Sequence, residues 1–243
     1  MTLEQRIDNK GPKKLLALDG GGIRGVITLE ILKKIETLLR EQSGNPGLVL
    51  ADYFDYVSGT STGAIIATCL SIGMSVDDIS KFYHDSGPAM FSKAGLLRRY
   101  WYKFTDEELA EKLKTVFGAN TTLGDPKVRT LLMAVLRNAT TDSPWPISNN
   151  PRAKYNDRSR KNCNLNLPLW QIVRGSTAAP TYFPPEIVKV GDQEFIFVDG
   201  GVTMFNNPAF QMFKTATLGP YKLGWETGVD KMLLISLGTG ISD

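Results

Sequence analysis

Histidine is almost missing from this chain: His84 is the only one in 243 residues. That leaves a single imidazole for any proton transfer at neutral pH. Cysteine is nearly as scarce. Cys69 and Cys163 stand far apart, without metal-ligand spacing, which argues against a disulfide framework and for a reducing, cytoplasmic setting. Long hydrophobic runs are lacking too. The most apolar stretch, residues 63–76 (GAIIATCLSIGMSV), is broken by Ser71 and Gly73. It is short for a membrane span and reads as a buried core helix. The N-terminal MTLEQRIDNKGPKK has no apolar core, so no secretory signal is expected. An excess of one charge is absent as well. Against 25 Asp and Glu stand 28 Lys and Arg, a balance too mild to indicate nucleic acid and only weakly favourable to an anionic membrane surface.

What is there is ordinary folded-domain composition, 42% hydrophobic and 22% charged, which sets disorder and collagen-like classes aside. No internal repeat or low-complexity linker divides the chain, so one domain over 1–243 is expected. Residues 14–18 (KLLAL) read as a buried strand ending in Asp19. A glycine-rich loop, Gly20–Gly25, follows. Val26, Leu29, Leu32, Ile35 and Leu39 then recur at helical steps, predicting a helix near 26–42. FDYVSG leads as a strand into Ser61, and a helix of small residues runs from Thr62 to about Ile72. Ser75–Asp78 and Thr105–Glu108 read as capping boxes of two further helices. Residues 129–139 read as a strand, 140–168 as a long surface loop, and 170–179 as a helix. Residues 186–190 and 194–198 read as a hairpin, and 231–238 as another buried strand. Strands alternating with helices predict an α/β layered fold with a largely parallel sheet. The chain stops five residues after the last strand-like run. Such a strand is usually followed by a covering helix, so a longer natural chain is expected.

Two glycine turns carry chemistry. Gly59-Thr60-Ser61-Thr62-Gly63 is G-x-S-x-G between a strand and a helix, the setting of a nucleophile elbow, which pushes the serine hydroxyl into the open. Gly20, Gly22 and Gly25 satisfy G-x-G-x-x-G, a dinucleotide fingerprint when an acidic residue ends the next strand. Here the next strand runs into Ser61 instead, and Arg24 sits inside the loop. The same glycines can turn N–H groups toward a developing negative charge. A serine nucleophile needs a base. Asp199 ends an apolar strand before Gly200 and Gly201, and Asp19 stands in the same D-G-G context. Either can accept a hydroxyl proton if within reach, and spacing alone does not choose between them. His84, near a helix end, reads as a solvated or capping residue.

In that order, DGGGIRG at 19–25, GTSTG at 59–63 and DGG at 199–201 resemble the signatures of the patatin-like phospholipase family. STAAPTYFPP at 176–185 and SLGTG at 236–240 are similar to family segments as well. The resemblance implies a three-layer α/β/α sandwich and hydrolysis of lipid acyl esters. It implies Ser61 as nucleophile and Asp199 as base, an oxyanion hole at Gly20, Gly21 and Gly22 with Arg24 near it, and no metal or organic cofactor. Readings from other classes are a general esterase or thioesterase, and a non-catalytic phosphate or nucleotide module on Gly20–Gly25. Residues 82–104 interleave aromatics with Lys93, Arg98, Arg99 and Lys103, a composition suited to peripheral contact with a membrane interface. TTDSPWPISNNP at 140–151 is similar to bacterial family members switched on by a small nucleotide.

Overall fold

The computed structural model describes residues 1–91 and 102–240. A short helix α1 (Leu3–Asp8), capped by Thr2 and Gln5, precedes strand β1 (Lys13–Leu18). The glycine loop then passes through a 3-10 turn into α2 (Gly25–Ser43), which Gly44 ends at φ 65°. Next come α3 (Leu50–Tyr53), β2 (Tyr56–Thr60), α4 (Thr62–Ser71) and α5 (Val76–Phe91). Helix α6 (Tyr102–Phe117), β3 (Leu131–Asn138) and β4 (Ser143–Ser148) follow. Helix α7 (Leu169–Ser176), β5 (Glu186–Val190), β6 (Gln193–Asp199), α8 (Ala209–Thr217) and β7 (Met232–Leu237) complete the order.

The strands form one mixed sheet in hydrogen-bonded order β5-β6-β3-β2-β1-β7, with β4 also on β3. Strands β3, β2, β1 and β7 run parallel to one another. Parallel strands are covered on both faces and therefore read as continuous apolar runs, as KKLLAL and LLMAVLRN do. One face packs on α2, α4, α5, α6 and α7, and the other on α1 and α8. All ten residues of α4 are buried, so it is a core helix, and truncating Ile66 to Ala there should cost about 2–5 kcal/mol. No helix among the described residues is long and apolar enough to cross a membrane.

The fold departs from expectation in three places. Residues 140–168 are not one surface loop, because β4 pairs antiparallel with β3 and a 3-10 turn spans Asn164–Asn166. Pro144 and Pro146 hide this strand, yet they lie opposite Arg137 and Val135. Alternate β3 residues turn their N–H and C=O groups to alternate edges. The N–H groups of Leu131 and Ala139 go to Asp55, just before β2, and to Ile196 of β6, whereas that of Leu132 goes to Asn149 on the β4 side. The prolines thus fall where no ladder N–H is needed. Strand β7 is not buried: among the described residues it is the outer strand, with Leu233 41% exposed. Helix α6 is described from Tyr102, so the Thr105 box lies inside it. Much of 82–104 lies outside the described residues. Within it, Phe82 packs on the core and Tyr83 is buried.

Candidate active site

The same alternation brings the two chief candidates together. Strand β2 pairs with β3 through Thr60↔Val135, and β6 continues along that edge with Leu136↔Asp199. Because β4 occupies the other edge over Met133–Asn138, β2 and β6 must lie end to end on one side of β3. One runs up and the other down, so their C-terminal tips meet. Ser61 follows one tip and Asp199 ends the other. Ser61 Oγ donates to Asp199 Oδ2 at 2.6 Å.

Ser61 has φ 54° and ψ −124°, a conformation L-residues rarely adopt. The elbow is tight enough to require its glycines. A Cβ on Gly59 would collide with the Gly63 carbonyl, and one on Gly63 with the Leu18 carbonyl. The Ser61 carbonyl starts α4 by accepting from Ala64 at 2.8 Å. Its N–H goes to Ser176 Oγ at 3.0 Å.

Asp199 is 5% exposed. Burial raises its carboxyl above the usual range, and the bonds from Ser61 and from the Gly201 N–H pull part of the way back. The Gly201 bond, to Oδ1, is 2.6 Å. Gly200 sits against the Val135 carbonyl. Asp19 has a different fate. Among the described residues it bonds to neither dyad candidate: its N–H goes to the Leu237 carbonyl and its buried Oδ1 has no partner. Burial alone raises it to about 6. His84 is exposed, its side chain 91% accessible, and faces Asp85.

The glycine loop lies beside the elbow, for a Cβ on Gly20 would stand 3.2 Å from Ser61 Cβ. The Gly20 N–H is spent on the Asn206 carbonyl at 3.2 Å, whereas those of Gly21 and Gly22 meet no intramolecular acceptor among the described residues. Gly25 is buried against Thr62 and Tyr83. Arg24 acts as a brace, its Nη1 donating to the Gly240 carbonyl at 3.0 Å. Sequence reasoning did not single out the residues that hold these turns. Asn206 Nδ2 and Thr239 Oγ1 donate to the Gly20 carbonyl, Tyr83 bonds to Thr62, and Ser176 meets Ser61. Ser176 and Thr239 lie in the STAAP and SLGTG segments, the only sequence signal they gave.

Among the described residues, no group of three or more His, Cys, Asp or Glu side chains could hold a metal ion. Two cavities are lined without Ser61 or Asp199. One of about 320 Å³ is lined by Arg6, Lys14, Asp55 and Arg129, where the parallel strands begin. The other, of about 300 Å³, lies beside Val202–Met204.

A serine on a strand–helix elbow, bonded to a buried aspartate rather than a histidine, places the chain among α/β proteins with a Ser–Asp pair. The family follows from comparison: a model described as patatin-like phospholipase matches residues 16–213, and the chain belongs to that family. Patatin-17 of Solanum cardiophyllum and Patatin-T5 of Solanum tuberosum are each 32% identical to it over 93% of this chain. The chain spans 60% of the length of those relatives. Among solved structures, VipD from Legionella pneumophila matches with a TM-score of 0.47 at 17% identity, covering 80% of this chain and 46% of that one.

Proposed function

We propose that this chain is a lipid acyl hydrolase of the phospholipase A type, with Ser61 as nucleophile and Asp199 as general base. The observation that carries this reading is the 2.6 Å bond from Ser61 Oγ to Asp199 Oδ2 at the strained elbow. Family membership supports the acyl-ester substrate class. In the first step Asp199 Oδ2 takes the Ser61 proton as Oγ attacks the ester carbonyl. The N–H groups of Gly21 and Gly22, free of other acceptors, hold the oxyanion, helped by the N-terminal dipole of α4. The lyso-lipid oxygen leaves with the proton from Asp199. Water then attacks the acyl-serine, giving its proton to Asp199, and Ser61 regains a proton as the fatty acid departs. An ordinary aspartate, with pKa about 3.9, is a weak base at neutral pH. Burial of Asp199 raises its proton affinity toward what the step needs.

The general esterase reading shares this machinery and differs only in substrate. The phosphate-module reading gains nothing from Gly20, whose N–H is already bonded within the fold. Residues 140–151 spend polar groups on the fold: Asn149 Oδ1 accepts from Leu132 N–H, and Asn150 Nδ2 donates to the Tyr221 carbonyl. The small-nucleotide activator gains no support from them. We read the chain as one domain, since a single sheet carries a core on each face. Free, buried Cys69 and Cys163 suit a reducing cytoplasm, with lipid met at a membrane surface. The test is to incubate the protein with mixed phospholipids and follow released fatty acid and lyso-lipid by mass spectrometry, with fluorophosphonate labelling mapped by peptide. Labelled Ser61 with lyso-lipid release is expected. Ester cleavage without label on Ser61 would overturn the assignment.

A further inference from the structure

The segment Ser176-Thr177-Ala178 grips both halves of the Ser–Asp pair. Ser176 ends α7 and is 0% exposed. Its Oγ accepts the Ser61 N–H at 3.0 Å and donates its own proton to the Val135 carbonyl at 2.7 Å. Two residues on, the Ala178 carbonyl accepts the Asp199 N–H at 3.0 Å. One short stretch of backbone therefore sets where the serine and the aspartate stand relative to each other, although 138 residues separate them.

The need for such a clamp follows from the geometry of the tips. At Thr60 the ladder between β2 and β3 stops, since Thr60↔Val135 is its last pair. The N–H of Ser61 points past the end of that ladder and would be left without a partner in a largely buried turn, a loss of about 1–3 kcal/mol. Ser61 is also held at φ 54°, and such strain persists only where the surroundings over-determine it. The Ser176 hydroxyl meets both needs, because one group can accept and donate together. Val135 is the anchor: the Ser176 hydroxyl donates to its carbonyl, and Gly200, next to Asp199, also lies against that carbonyl.

We propose that Ser176 is a positioning residue for the hydrolysis, fixing the Ser61 backbone so that Oγ stays within proton-transfer reach of Asp199. This deepens the Ser61–Asp199 reading and rests on it. Ser176 touches no substrate, so its loss acts on the rate and spares binding. A misplacement of about 1 Å costs on the order of 100-fold in rate. It also has a signature in pH. The Ser61 bond lowers the Asp199 carboxyl, against the upward push of burial. When that bond loosens, burial acts with less opposition, and the acid limb of the rate moves to higher pH.

The experiment compares wild type with Ser176→Ala and Ser176→Thr, using a soluble short-chain ester and a fluorophosphonate probe. Ser176→Ala is expected to lower kcat about 10- to 100-fold at unchanged KM. It should slow labelling of Ser61 in proportion and shift the acid limb upward. Ser176→Thr keeps the hydroxyl and should recover most of the rate. Should Ser176→Ala not fold, Ser176→Cys, with a weak thiol in nearly the same volume, carries the same readouts. Equal labelling rates in wild type and Ser176→Ala overturn the positioning role alone. So does a loss that appears in KM with the acid limb unmoved. Absence of label on wild-type Ser61 brings down the dyad reading and, with it, this one.

Discussion

Two turns in this molecule share the triplet Asp-Gly-Gly. Asp19-Gly20-Gly21 ends β1, and Asp199-Gly200-Gly201 ends β6. Locally they are the same device: an apolar strand, a carboxylate at its tip, and glycines that let the chain turn. Their surroundings differ. Asp199 meets a serine hydroxyl and a backbone N–H. Asp19 has a buried oxygen with no partner among the described residues. The cause is strand direction. Strand β6 runs antiparallel to β3 and its tip comes down onto the tip of β2, whereas β1 runs parallel beside β2, so its tip passes alongside. A carboxylate becomes a base candidate through what its strand faces, not through the residues that follow it.

The sharpest way to break that comparison starts at the shared target. Ser61→Ala should cut kcat by about 10³-fold or more without lowering the melting temperature, because binding alone does not replace a nucleophile. Near-normal turnover in the folded variant would remove both aspartates from consideration. Asp199→Asn should lose nearly as much, and the double variant should be no worse than either single, since the two residues act as one unit. Losses that multiply would assign Asp199 to some other task.

Asp19→Asn separates the turns through stability. Its raised carboxyl binds a proton more tightly in the folded state than in the unfolded chain. Folding therefore suffers no ionisation cost below the ordinary carboxylate range. The cost grows as pH rises from there and is complete above about 6, the raised value. Asn removes it. Thermal unfolding should show Asp19→Asn more stable than wild type at pH 8 and level with it in acid, with activity changed only a few-fold. Turnover as low as that of Asp199→Asn would mean the two turns are not functionally distinct. The smallest effect is expected at His84, which faces solvent beside Asp85. His84→Gln should change kcat/KM by less than about twofold, as an exposed substitution does. The acid limb measured from pH 5 to 9 should stay in place, as no histidine governs it.

The parts legible in the sequence were those set by neighbours along the chain. Gly59 and Gly63 announce the elbow because their spacing is a steric requirement of one turn. The apolar runs of β1 and β3 announce strands covered on both faces. What was illegible depends on strand order. Pro144 and Pro146 masked β4 because proline reads as a loop until one knows which edge each residue presents. The exposure of β7 is a property of its place at the rim, invisible in MLLISL. The choice between Asp19 and Asp199 needed the family resemblance, because the residues around them are alike. Ser176 gave no sign beyond lying in STAAP, since a serine that bonds to backbone has no spacing rule of its own.

The meeting of two strand tips over Val135 and Leu136 also sets a schedule. Asp199 is made 138 residues after Ser61, and contacts of such long separation are slow to form because loop closure costs entropy before they reward it. Until β6 docks on β3, the Ser61 hydroxyl lacks its bond to Asp199. On the proposed reading, Ser61 therefore gains its base in a single event, the docking of β6 beside the tip of β2.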